Sequence, residues 1–102
     1  MKVRFALCVF LALFAAGLPL KSEPAQQSPP GKSPYERSCS VCHGMEGRGD
    51  AGPGPALVPL EREYRDVLAI VREGTGEMPP IPAERLSDEA VKQIVEYLKS
   101  LK

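Results

Sequence analysis

Histidine is almost missing from this chain: 102 residues hold one imidazole, at His43, beside three cysteines. A single histidine excludes any site built on a pair of imidazoles. Net charge is missing too, with thirteen Lys and Arg set against thirteen Asp and Glu. A chain with no basic excess carries no electrostatic footprint for nucleic acid. The main apolar run, Phe5 to Ala16, is followed by Pro19 and Lys21 before it reaches the ~20 residues that a membrane-spanning helix needs. There is no internal repeat, and no β-branched, strand-like run from which a βαβ unit could be assembled. At 43% hydrophobic residues the chain is one small domain at most, with a thin core that calls for a staple.

What is present starts with a leader. Lys2 and Arg4 precede the apolar run, and Ala15, Ala16 and Gly17 end it. This order of basic, apolar and small residues predicts a secretory signal over residues 1–22, cleaved between 17 and 25. An uncleaved anchor over residues 5–20 is the alternative. Export would place the mature chain in the periplasm or another extracytoplasmic space. Cys8 lies inside the apolar run and leaves with it, so two cysteines remain. From residue 26 onward ten Lys or Arg face twelve Asp or Glu, a formal charge of −2. Four prolines between residues 18 and 33 mark a solvated linker, set at 23–32, and the folded domain is expected over 33–102.

Both remaining cysteines and the histidine fall within five residues, CSVCH at 39–43. Ser33 is placed to cap a helix here, with Pro34 at its first position, Glu36 completing a capping box and Gly44 as the stop. Tyr35, Cys39 and Cys42 then share one face, expected to point inward. Four chemistries fit two thiols and an imidazole. A structural disulfide suits a small exported domain. Zinc wants a fourth protein ligand, which no remaining Cys or His supplies. A thioredoxin-like thiol pair expects the βαβ setting that is missing. Attachment of haem c uses this Cys-x-x-Cys-His spacing: each thiol adds to one vinyl group, and the imidazole sits under the iron.

A haem iron takes a second axial donor, and without another histidine the methionine thioether is the next choice. Met45 stands two residues past His43, a reach of about 7 Å at full extension, too short to pass round the macrocycle edge. Met78 follows 35 residues after His43, in GTGEMPPIP. Gly74 and Gly76 let the chain turn there, and Pro79 and Pro80 stiffen the segment after it. A lone methionine is by default a filler of core gaps. Its place in a Gly/Pro loop, off any helical stripe, favours ligation.

The stretches YERSCSVCHG, GPGPAL, YRDVLAIVREGTGEMP and LSDEAVKQIVEYLKSL, in that order, make residues 32–102 resemble the class I cytochrome c family. The resemblance implies an all-α fold, with three main helices and loops wrapped around one covalently bound haem c. It implies thioether links at Cys39 and Cys42, His43 and Met78 as the metal ligands, and transfer of single electrons. It also implies that a proline carbonyl after the motif accepts a hydrogen bond from the proximal imidazole and fixes the ring. Pro55 matches that role, with Pro53 the close alternative, and Leu57 would pack on the haem face. The span between motif and Met78 is short for the family, which leaves few residues to cover the propionate edge.

Leu60, Tyr64, Val67, Leu68 and Val71 recur at helical spacing, with Gly74 as a stop. Ser87 is placed to cap a final helix with Asp88 and Glu89 in its first turn, Leu86 stapled to Val91, and a stripe of Val91, Ile94, Val95, Leu98 and Leu101. The resemblance lays this helix across the first, with Tyr97 or Leu98 against the turn around Tyr35. Iron with both axial positions filled has no room for substrate, so the chain reads as an electron carrier and not an enzyme. Its partners would be a redox donor and acceptor, membrane-bound complexes among them, with no small-molecule substrate and no nucleic acid. The alternatives are a haem-bearing subunit of a larger oxidoreductase, a ligand-binding or enzymatic haem site should Met78 not ligate, and a haem-free disulfide module. Arg48, Arg62 and Arg65 lie in or beside the segments that the resemblance sets around the haem, where they could steer docking.

Overall fold

A computed structural model describes residues 16–19 and 27–102. The expected leader over 1–22 apart from 16–19, Cys8 within it, and linker residues 23–26 lie outside the described residues. Among the described residues four helices follow one another: α1 (Lys32–Ser38), α2 (Ser40–His43), α3 (Tyr64–Glu73) and α4 (Asp88–Ser100). Among the described residues the only β pairing is an isolated bridge between Thr75 and Met78. The architecture is all-α, as expected, but the first of the three expected helices is split in two.

The split has a local cause. Ser40 Oγ donates to the Glu36 carbonyl at 2.6 Å, the back-bond by which a serine inside a helix bends it. Cys39, at the junction, widens to φ −123°. The ladder still runs through it, from Cys39 N–H to Tyr35 at 2.8 Å and from His43 N–H to Cys39 at 3.0 Å. Gly44, at φ +85°, then ends the helix as expected.

The start of α1 departs from expectation. Ser33 does not cap it and no capping box forms; the N-cap is Gly31, without a side-chain cap. Ser33 Oγ instead accepts from Arg37, and Glu36 pairs with Lys32 at 3.9 Å. Tertiary packing decides this. Gly31 is buried against α4, where a Cβ would strike the Gln93 carbonyl and lie 2.7 Å from Tyr97 Cβ.

In α3 the expected stripe begins one turn early: Leu60 lies in the preceding loop, though it still packs on the core. Helix α4 starts as its sequence predicts, with Ser87 Oγ accepting from Ala90 N–H at 3.1 Å. Leu86 and Val91 are both buried in the one core cluster, with Tyr35, Val71, Ile94, Tyr97 and Leu98. Side chains of this size each contribute about 1.5–3 kcal/mol on full burial. Tyr35 and Tyr97 meet with ring centroids 5.8 Å apart and planes tilted by 53°, joining α1 to α4. Helix α4 packs on both α1 and α3, whereas α3 packs on neither α1 nor α2.

Candidate functional site

Between these helices lies a cavity of about 550 Å³. Cys39, Cys42 and His43 form one part of its wall and Met78, Pro79 and Ile81 another; Pro53, Pro55, Leu57 and Leu60 line it from the intervening loop. Helices α3 and α4 add Val67, Ile70, Val71, Val91, Ile94 and Leu98. Arg62 and Glu77 are the charged side chains on the wall.

His43 is the buried polar side chain of the site, at 9% exposure. Its Nδ1 lies 2.8 Å from the Pro55 carbonyl oxygen. A carbonyl can only accept, so Nδ1 carries the proton and donates, and Nε2 keeps its lone pair. Of the two prolines weighed from sequence, Pro55 makes this contact, while Pro53 lines the cavity without it. The loop is pressed close to make that bond. Gly54 N–H donates to the Cys42 carbonyl at 2.9 Å, and a Cβ on Gly54 would sit 2.7 Å from His43 Nδ1. Gly49 N–H donates to the His43 carbonyl at 2.8 Å, and Tyr35 Oη donates to the Gly44 carbonyl at 2.7 Å.

Cys39 and Cys42 are half-buried free thiols on the wall, not joined to each other. Burial, with the neighbouring Cys42 thiol adding, pushes the Cys39 thiol up to about 11, so it stays protonated at neutral pH. No cluster of three or more His, Cys, Asp or Glu side chains capable of holding a metal ion exists among the described residues.

Met78 is half-buried at the end of a tight turn. Its N–H donates to the Thr75 carbonyl at 2.9 Å and its carbonyl accepts from Thr75 N–H at 3.1 Å. Gly74 at φ +72° makes room: a Cβ there would lie 2.7 Å from the Met78 oxygen. Met45, by contrast, is 59% exposed and off the wall. Among the three arginines, only Arg62 borders the cavity. Arg48 is engaged elsewhere, pairing with Glu46 at 3.3 Å and donating to the Lys102 carbonyl at 3.1 Å. Arg65 is exposed and off the wall.

Two contributors escaped the sequence reading. Gly54 holds the His43 ring by having no side chain, and the only signal was its place between two prolines. Arg72 binds the loop after Met78, through contacts with Ile81 and Asp88 that lie nine and sixteen residues away, which no local pattern announces. The donor set fits haem: two thiols and an imidazole at one wall, a thioether at another, and apolar side chains between.

The family described as cytochrome c oxidase, cbb3-type, subunit III matches residues 26–98. The chain belongs to the class I c-type cytochromes. This cytochrome is 36% identical over 92 residues to the cytochrome c subunit of 4-cresol dehydrogenase (hydroxylating) from Pseudomonas putida, a match spanning 90% of the chain and 75% of that relative. A cytochrome c-553-like protein from Synechocystis sp. is 28% identical over 71 residues, spanning 70% of the chain and 66% of that relative. Among solved structures, p-cresol methylhydroxylase superposes with a TM-score of 0.63 at 36% identity, covering 71% of this chain and 93% of the matched chain. The same enzyme with substrate bound gives a TM-score of 0.63, with 92% of its chain covered. The cytochrome is thus an electron-carrying haem protein with redox proteins as partners, of a family that works outside the cytoplasm. Among the described residues no helix is long and apolar enough to cross a membrane.

Proposed function

We propose that this cytochrome binds one haem c, which Cys39 and Cys42 would link covalently and His43 and Met78 would hold through its iron, and passes single electrons between redox proteins. Haem supplies a one-electron iron couple when bound. The two thiols stand three residues apart, Cys39 at the helix junction and Cys42 within α2, and would hold the haem through two thioether links. His43 offers Nε2 because Pro55 occupies Nδ1, and that hydrogen bond fixes the ring's rotation and strengthens it as a donor. Met78 offers a soft thioether from a turn closed on both its peptide groups. Leu57 and the aliphatic wall exclude water. With both donors engaged, the iron would have no place open to a substrate.

The observation that carries this reading is the His43 to Pro55 bond at the wall that also presents both cysteines and Met78. A leader over residues 1–22 fits export to the periplasm, where attachment takes place. The relative named as a dehydrogenase subunit favours a second form of the same role, a haem-bearing subunit of a larger oxidoreductase. Membrane-bound complexes are the other class of partner. Native co-purification distinguishes a free carrier from a subunit.

Haem staining after denaturing electrophoresis, with a mass equal to the chain plus one haem, is the expected result. A disulfide between Cys39 and Cys42 with no added mass overturns it. Ferrous Met78→Ala should bind carbon monoxide readily while the wild type binds it poorly. Equal binding by both removes Met78 from the axial position.

A further inference from the structure

We propose that Arg72 is a positioning residue for the Met78 thioether: from the last turn of α3 it locks the loop after Met78, and so sets how firmly the sulfur keeps its axial place. The proposal rests on the reading of Met78 as a ligand. Among the described residues Met78 itself is hydrogen-bonded only within its own turn, to Thr75. The hydrogen bonds that tie the following loop to α3 run through two consecutive residues. The Val71 carbonyl accepts from Ile81 N–H at 2.7 Å, and Arg72 Nη1 donates to the Ile81 carbonyl at 3.0 Å, so both peptide groups of Ile81 are held. Arg72 Nη2 donates to Asp88, the first residue of α4. One rigid fork therefore joins both ends of segment 81–88 to α3.

The two bonds are not equal in weight. The Asp88 carboxylate is 64% exposed, and an ion pair there contributes little. The Ile81 carbonyl is part-buried, and a charge-assisted donor lost from such a group leaves it unsatisfied. Ile81 stands three residues beyond Met78, with Pro79 and Pro80 between as a stiff lever. A displacement at Ile81 is thus passed to Met78 instead of being absorbed. A ligand must be held within about 0.5 Å of its working position, and here that support comes from outside its own turn.

The test uses purified holoprotein, wild type or carrying Arg72→Gln, Arg72→Lys, Lys99→Gln or Met78→Ala. Lys99 is a matched control: it pairs with Glu63 at 3.0 Å, is 35% exposed, and has no hydrogen bond to the Met78 loop. Imidazole affinity of the ferric protein, the sulfur-to-iron charge-transfer band and thermal melting are measured on each. Arg72→Gln should bind imidazole at least about tenfold tighter than wild type, with a weakened band. Arg72→Lys, which reaches one acceptor but not both, should fall between, and Lys99→Gln should match the wild type. Should Arg72→Gln give no holoprotein, Arg72→Lys carries the comparison alone. Unchanged affinity in the Arg72 variants, or an equal change in Lys99→Gln, overturns the proposal. Wild-type protein that lacks the band and binds imidazole as tightly as Met78→Ala overturns the Met78 reading instead, and this proposal with it.

Discussion

Tyr35 is fully buried, and its hydroxyl donates to the Gly44 carbonyl, one residue past His43. Burial first, then the neighbouring Cys39, pushes its phenol from 10.0 up to about 12. The folded state holds this proton more tightly than the unfolded chain does. Its contribution to stability is therefore complete below pH 10 and is lost as pH rises through about 12. Tyr35→Phe should melt lower than wild type at neutral pH, by about 1–3 kcal/mol for a carbonyl left without its donor. The gap should close across that alkaline window, and parallel curves for the two proteins would refute the assignment. At this scale the sequence was most readable where side-chain chemistry is itself the signal: Cys39, Cys42, His43 and Met78, singled out by residue type, all line the one cavity described above. It was least readable where the partner is a backbone group. Any residue type can offer the carbonyl that His43 uses, so Pro53 and Pro55 could be separated only by where the loop runs.

Helix α1 meets α4 at its N-cap, Gly31, which has no side chain to interpose. Gly31 lies on the Gln93 carbonyl and Tyr97 Cβ, so Gly31→Ala should force the helices apart. Overpacking of this kind costs about 1–3 kcal/mol, read as a Tm lower by roughly 4–8 °C per kcal/mol in a domain of this size. A melt of the holoprotein by circular dichroism checks it, and an unchanged Tm would mean that the crossing yields without strain. This contact also explains why Ser33 is not the cap: a helix end is set by local hydrogen bonds only when no neighbour fixes it first. The opposite holds at α4, where Ser87 caps as its sequence predicts and nothing competes. The apolar faces of α3 and α4 were legible as faces but not as walls. Val67, Ile70 and Ile94 have the spacing of core residues, and periodicity reads the same whether the opposite surface is protein or porphyrin.

On the scale of the whole chain, the buried cluster is small and much of the remaining apolar surface faces the cavity. A domain of about 70 residues in short helices buries too little on its own to offset the entropy of ordering it. The Cys39→Ser, Cys42→Ser double variant, which cannot retain haem covalently, should lose most of its helical signal and its cooperative melt. Native-like helix content with a sharp transition in that variant would show a fold independent of the cofactor. Helix α4 has a further consequence here. Among the described residues it is the one helix that touches both α1 and α3, and it comes last along the chain. Without its thirteen residues the His43 side and the Met78 side would share no helical support. Helix α4 therefore works as a clasp: a chain cut before Asp88 would leave the two thiols and Met78 on stretches with no helix in common.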